Sequence, residues 1–514
     1  MSKRVVVIGS GAGGLTAAAY LAKDGFEVTV LEQASKPGGL LGGFRRGDFG
    51  FDPGVHYVGE CGPSGLVTRT LAPLGLDTAR MFVPLDPEGF DVYRFPGLEV
   101  SMPASLHRFR ERLARAFPEH DMEICDVLSL VGAARDLLHL GSGGAPVGSA
   151  LLNLPSLLRW SRSSYAELLD DLVSEPRLRA VLSSPMGDEG LPPSEASALS
   201  VLSLLAHYAD GAYFPRGGSV CLRDALATRA RELGVHFACD TRATRILVHG
   251  ERASGVEDRA GHHHPADFVV SAIDPRATIA MVAGDAPPRR YRKKLERARS
   301  SPAPFLLLLG LRRDLGARGL GRFNVWSYPD FDVEGAYAAA SRGELRDDPA
   351  LFVSPTSLKD DTGSLAPAGG TSLEILTFVP YSLFEPYADH REGERGPGYA
   401  ALKERVQRSM LEAMDRRFPG LVGDVEVCET LSPLSFRSWV GAIDGGAYGP
   451  ASTPHFWGPM RFETTTWLPN LMLAGAGVLG HGVAPCLLSG RLAANAVAAT
   501  AEAPKASWPR LQPP

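Results

Sequence analysis

Gly9, Gly11 and Gly14 stand between the apolar run Val5, Val6, Val7, Ile8 and the alanine-rich residues 15–23, and this arrangement constrains the fold more than any other in the chain. A short apolar run bounded by glycine reads as a buried parallel strand, and residues 15–23 favour helix. In that setting the first glycine allows a tight turn, the second lets backbone approach a pyrophosphate, and the third lets the helix pack on the strand. The helix N-terminus then offers free N–H groups to phosphate. Asp24 and Gly25 close the helix, residues 27–31 read as a second strand, and Glu32 follows at its tip, eighteen residues after Gly14. An acid there accepts from ribose hydroxyls and repels a 2′-phosphate, so the expected ligand is FAD or NAD rather than NADP. Lys3 and Arg4 ahead of apolar residues imitate a secretion signal, but the glycines interrupt it.

A chain of 514 residues with 44% apolar and 22% charged residues is ordinary globular material. A net charge of -5 provides no concentrated positive field, so nucleic acid is set aside as a partner. The six cysteines, at positions 61, 125, 221, 239, 428 and 486, lack C-x-x-C spacing, which argues against a disulfide framework or a zinc site and for a reducing cytoplasm. No uninterrupted apolar stretch of about 18 residues is present, so no membrane span is expected. His262, His263 and His264 have no spaced carboxylate or cysteine partner and read as a solvated loop; no metal is expected. Arg289, Arg290, Arg292, Lys293, Lys294, Arg297 and Arg299 form a dense basic run. It is either a solvated helix face or a docking surface for anionic lipid headgroups, which would make the protein peripheral on a membrane.

Gly475, Gly477 and Gly480 repeat the glycine spacing, after residues 471–474 and before a helix-like stretch at 485–499. A second nucleotide unit would need another strand and an acid about 20 residues on. Only the polar tail at 501–514 remains, so a second site is not expected.

Gln33, Ala34, Ser35, Lys36, Pro37, Gly38 and Gly39 resemble the continuation found in glutathione-reductase-type flavoproteins and amine oxidases, where a Gly-Gly pair passes near the pyrophosphate and ribityl chain of FAD. Residues 470–490 resemble the C-terminal flavin motif of the same superfamily, with Ala476 where many members carry an acid. Further segments resemble the phytoene desaturase, carotenoid isomerase and retinol saturase group. They are Tyr213 to Gly218 with the helix-like stretch after it, residues 240–246, residues 269–275, and residues 432–449. Phe51, Asp52, Pro53, Gly54, Val55, His56, Tyr57, Val58 and Gly59 most resemble the retinol saturase branch.

The resemblance implies an α/β chain with a Rossmann-type FAD-binding domain, glutathione-reductase/amine-oxidase-like, carrying an inserted mixed-sheet substrate domain and a helical cap. The FAD domain would comprise residues 1–85, 215–295 and 455–500, with a cap at 100–205 split by a glycine-rich linker at 141–148, and a substrate domain at 300–455. It implies FAD contacts by Gly9, Gly11, Ala12, Gly13, Gly14, Glu32, Gln33, Gly38, Gly39, Leu40, Gly54, Val55, Ala243, Gly475, Gly482 and Val483. His56, Tyr57 and His481 are its catalytic candidates, and Tyr448 and Trp439 its substrate contacts. The implied activity is redox chemistry at carbon–carbon double bonds of a long apolar polyene or unsaturated lipid. Desaturation would need a base, saturation an acid, and isomerisation neither. An amine or small-molecule oxidase and a non-catalytic flavin-bound lipid-binding protein are the alternatives.

Overall fold

A computed structural model describes residues 2–141, 147–284, 286–391 and 393–502. The linker expected at 141–148 and the tail expected at 501–514 lie mostly outside those residues.

Strand Arg4–Ile8 is central in a five-stranded parallel sheet ordered His236–Ala238, Glu27–Leu31, Arg4–Ile8, Phe268–Ser271, Leu471–Leu473. Parallel strands are covered on both faces, which is why Val5 to Ile8 are all apolar instead of alternating. Val5 and Val7 pack with Leu15, Leu222, Leu226 and Leu487 from the helices Ala12–Lys23, Ser219–Glu232 and Val483–Glu502. Val6 and Ile8 face the other way, onto Ile246, Ala253 and Val256 of a three-stranded antiparallel sheet formed by Ala243–His249, Arg252–Asp258 and His263–Pro265. The sheet thus gathers strands from the beginning, middle and end of the chain. Leu471–Leu473 is its edge, and among the described residues no strand follows. The second glycine turn thus follows a strand of the same sheet, paired parallel with Phe268–Ser271.

The triple histidine departs from the loop expected of it. His263–Pro265 pairs with Gly255, Val256 and Glu257, and the His264 Nε2 lies 2.9 Å from Asp258 Oδ2. Pairing to a neighbouring strand overrides the polar local pattern.

Val483–Glu502 is, among the described residues, a helix long and apolar enough to cross a membrane by length and composition. Its Leu487, Ala493, Ala494 and Val497 are nevertheless buried in the core beside helix Ala12–Lys23. A Cβ on Gly490 would lie 2.2 Å from the Gly13 carbonyl oxygen, so small residues at this crossing set the approach of the two helices.

A seven-stranded sheet carries the rest, in the order Val425–Leu431, Ala303–Leu311, Thr371–Val379, Leu351–Ser354, Asn324–Ser327, Asp91–Phe95, Leu98–Met102. Asn324–Ser327 and Asp91–Phe95 run parallel and the other neighbours antiparallel, so the sheet is mixed. The hairpin at Asp91–Met102 comes from outside the span 300–455 where the sheet was expected. Helix Gly396–Arg417 covers one face with Val406, Met410 and Met414 on Leu307, Leu309 and Ile375. Against the other face lie Phe49 and Phe51, and a helical layer that packs on Trp326 and Phe352. That layer includes Leu106–Ala116, whose Ser105 cap accepts from the Arg108 N–H, and Tyr165–Leu172, opened by the reciprocal Ser164 and Glu167 capping box.

Candidate active site

At the end of strand Arg4–Ile8 the chain turns through Gly9, whose φ of +86° favours glycine. Gly14 is needed for a different reason: a Cβ there would sit 2.0 Å from the Gly9 carbonyl oxygen. At Gly11, by contrast, an added Cβ would meet no atom within 4 Å. Helix Ala12–Lys23 has Gly11 as its N-cap with no side-chain cap, so its first N–H groups are left to a ligand. Gly39 and Gly482 are exposed beside this turn, while Gly11, Ala12, Leu40 and Val483 are half-buried. Gly39 approaches Gly11 so closely that its Cβ would lie 3.2 Å from the Gly11 Cα, and Gly13 lies against Gly475, whose N is 2.8 Å from the position of a Gly13 Cβ. An anionic dinucleotide fits here, with open space at Gly11 and helix N–H groups facing it.

Glu32 is 6% exposed, and its carboxylate receives Ser10 N–H and Ala34 N–H, each at 2.9 Å, together with the Ser10 hydroxyl. A carboxylate has about four acceptor sites, so capacity remains for a ribose hydroxyl. Glu32 N–H donates to Ala238 O and Thr241 N–H to Glu32 O, which draws the chain just before Ala243 alongside. Arg461, 1% exposed, donates to the Ala476 carbonyl at 2.8 Å and so ties down the second glycine turn.

A polar and aromatic cluster forms where residues 56–57, the short helical turn Ser184–Asp188 and the segment Tyr448 to His481 meet. The Tyr57 hydroxyl is 2.5 Å from Asp188 Oδ2 and 3.2 Å from Asp91 Oδ2, and its ring stacks on Tyr208 at 4.5 Å. Tyr448 donates to the Gly187 carbonyl at 2.9 Å and stands 4.6 Å from the His481 ring. The His481 Nε2 is 3.9 Å from Glu189 Oε2, and burial pulls the imidazole down from its ordinary pKa. His56 Nε2 stands 3.0 Å from Glu374 Oε2, though neither atom is aligned for a hydrogen bond. Lys359 is fully buried; it donates to His56 O, Asn324 Oδ1 and Ser354 Oγ, and burial lowers its pKa to about 7. Burial also raises Asp91 to about 7 and carries Asp188 well above the carboxylate range.

His56, Tyr57, Tyr448 and His481 are therefore brought together. Trp439 stands apart, with its ring 5.9 Å from Phe44 and its carbonyl accepting from Gln33 at 3.0 Å. Asp91, Asp188, Glu189, Lys359 and Glu374 were not anticipated. Glu374 alone carried a signal, as a lone acid inside the apolar strand Thr371–Val379.

A cavity of about 510 Å³ opens between helices Val333–Ser341 and Gly396–Arg417, lined by Ala336, Phe378, Val406 and Met410 and by charged residues that include Arg346, Asp347, Arg405 and Arg408. It shares Ala336, Thr377 and Phe378 with a narrower crevice that reaches Trp326, Tyr337 and Phe352. Phe352 in turn lies 5.2 Å from the His56 ring, and Phe378 lies 6.4 Å from Tyr448.

A parallel sheet with a glycine turn opening its first helix, joined to a polar and aromatic cluster, defines a dinucleotide-dependent oxidoreductase. The chain belongs to the flavin-containing amine oxidoreductase family, whose model matches residues 12–300. It is an FAD-dependent oxidoreductase. It is 30% identical to all-trans-retinol 13,14-reductase of Macaca fascicularis, across 96% of this chain and 85% of that protein. A zeta-carotene-forming phytoene desaturase of Myxococcus xanthus is 27% identical, across 95% of this chain and 93% of the relative. An oxidoreductase from Methanosarcina mazei shares the fold with a TM-score of 0.67 and 19% identity, across 95% of this chain and 99% of the other.

Proposed function

We propose that this protein acts on carbon–carbon double bonds of a long, apolar, unsaturated lipid of carotenoid or retinoid type. The observation that carries the proposal is the aromatic wall of Trp326, Phe352, Phe378 and Tyr448 beside His56, Tyr57 and His481. Such a wall suits an extended apolar chain. The names of the reductase and desaturase relatives support the same substrate class.

FAD supplies two-electron exchange with carbon when bound. Gly9, Gly11, Ala12, Gly13 and Gly14 would hold its pyrophosphate, Glu32 and Gln33 its adenosine end with Ala243, and Gly38, Gly39, Leu40, Gly54, Val55, Gly475, Gly482 and Val483 the remainder. In this scheme residues 1–85, 215–295 and 455–500 form the cofactor unit. The substrate side would comprise the cap at 100–205 and the sheet region at 300–455. Tyr448 belongs to the aromatic wall, and Trp439 lies outside it.

A substrate of this kind resides in lipid, and the exposed Arg289, Arg290, Arg292, Lys293 and Arg297 on helix Arg289–Arg297 supply a surface for anionic headgroups. Co-sedimentation with phosphatidylserine vesicles, lost when these residues are changed to Glu, tests that contact.

Anaerobic mixing of the FAD-loaded protein, oxidised and then reduced, with retinoids, carotenes and small amines tests the activity. Flavin absorbance changes and altered product masses with the polyenes are expected. Turnover confined to amines, with peroxide released, overturns the proposal.

A further inference from the structure

Two carboxyl groups share one phenol. A tyrosine hydroxyl has a single proton to donate, yet the Tyr57 oxygen lies within hydrogen-bond distance of both Asp188 Oδ2 and Asp91 Oδ2. If both acids were ionised, one carboxylate oxygen would face the phenol oxygen with no proton between them, in a buried place where such a contact is costly. Both contacts are satisfied when one carboxyl is protonated and donates to Tyr57 while Tyr57 donates to the other.

The surroundings choose between them. Asp91 is 1% exposed, and its Oδ1 accepts from Asn324 Nδ2 at 2.9 Å. The Asn324 oxygen is held by Lys359, whose three acceptors account for all three hydrogens of an ammonium ion. Asp91 is thus the better supported of the two as an anion, and it ionises above about pH 7. Asp188 has Tyr57 as the donor-bearing partner of its side chain, and the acid next to it in the chain is the buried Glu189. Burial, with added repulsion from Asp91 and Glu189, keeps Asp188 neutral. It is also half-buried where Asp91 is closed off, and the aromatic wall begins at its own backbone: Tyr448 binds the Gly187 carbonyl, and a Cβ on Gly187 would lie 2.2 Å from the Trp326 ring.

We propose that Asp188 is a neutral carboxylic acid that serves as the proton donor of this site, and that the resting enzyme is therefore arranged to reduce a double bond. The proposal rests on the polyene substrate class inferred above and selects saturation within it. In the step, the Asp188 O–H bond breaks and its proton forms a C–H bond at one olefinic carbon. The other carbon takes its hydrogen with the electron pair of the two-electron reductant, reduced FAD. Asp188 is left as a carboxylate, so that both acids now face the one Tyr57 proton, and this costly state is relieved when Asp188 regains a proton from solvent. Desaturation would need this group ionised at rest.

Infrared spectroscopy of the FAD-loaded protein without substrate reads the proton directly. Well above pH 7, where Asp91 and Asp52 are ionised, a carboxylic C=O stretch that shifts in D2O is expected in the wild type and absent in Asp188→Asn. Tyr57→Phe, which keeps the ring and removes the hydrogen bond, should move that band in frequency. With a polyene that the wild type reduces in D2O, Asp188→Asn should turn over 10²- to 10⁴-fold more slowly, roughly the loss expected for a general acid, at unchanged flavin content and melting temperature. A band that survives Asp188→Asn, a band indifferent to Tyr57→Phe, or a variant of wild-type rate overturns the proposal. Absence of polyene turnover in the wild type instead refutes the substrate class and leaves the infrared result to decide the protonation.

Discussion

Gly11→Ala separates cofactor binding from folding more cleanly than any other single change in the cradle. The backbone at Gly11, with φ of -62° and ψ of -179°, is accessible to alanine, and the added methyl meets nothing within 4 Å. Replacing glycine at an N-cap by alanine costs a few tenths to about 1 kcal/mol, while the stiffer unfolded chain returns about 0.4–1 kcal/mol. The melting temperature of the protein without FAD should therefore hardly move. If pyrophosphate occupies the open space at Gly11, the methyl overpacks that contact by about 1–3 kcal/mol, which is roughly a 5- to 150-fold rise in the Kd for FAD. Flavin fluorescence quenching on titration into FAD-free protein measures this, and the rise in melting temperature on adding FAD should shrink in step. Gly14→Ala is the contrast: its Cβ would lie 2.0 Å from the Gly9 carbonyl oxygen and 3.1 Å from the Ala272 Cβ, so folding itself should fail. An unchanged FAD affinity in Gly11→Ala, or a large loss of stability without FAD, would refute the pyrophosphate contact.

Glu32→Ala should also lower FAD retention, with part of the effect structural, because the change frees Ser10 and Ala34 N–H groups as well as any ribose hydroxyl; unaltered flavin content after gel filtration removes the acid from the cofactor site. His56→Ala leaves Glu374 Oε2, already unbonded and buried, without its facing imidazole, so stability should fall by about 1–3 kcal/mol together with activity. A Glu374→Gln change in the same chain should restore part of that stability, and a stable single variant that lacks only turnover would assign His56 to the chemistry instead. Asp91 has a folded-state pKa of about 7 against an ordinary 3.8, so the folded protein binds more protons in that window and the stability this group confers is lost as pH rises through it. Asp91→Asn should flatten the fall of melting temperature across that range, and parallel curves for the two proteins would refute the assignment.

The cofactor half was legible because its signals are local. Val5 to Ile8, the three glycines, residues 15–23 and Glu32 follow one another within a single βαβ unit, where chain geometry alone dictates what meets the phosphate. The strand before the second glycine turn at Gly475 joins the same sheet as Arg4–Ile8. Even the placement of His56, Tyr57, Tyr448 and His481 in one cluster was open to reading, through motif resemblance. The loop expected at His262 to His264 gave way at His263 and His264, where a local pattern is silent about pairing partners: these two join a strand because Val256 and Glu257 lie beside them.

The linear order of residues determined the dinucleotide cradle at Gly9 to Gly14 and the position of Glu32 at the tip of the second strand, because glycine spacing and strand length act over about 30 residues. What Tyr57 does was decided elsewhere. Asp91, Asp188, Asn324 and Lys359 come from strands and turns widely separated in sequence, and only the parallel pairing of Asp91–Phe95 with Asn324–Ser327 sets Asp91 opposite Asn324. An isolated Asp or Lys in a sequence reads as a solvated charge. It becomes a neutral acid or a buried cation when folding removes water and leaves a few fixed partners, and that free energy depends on the three-dimensional neighbours alone.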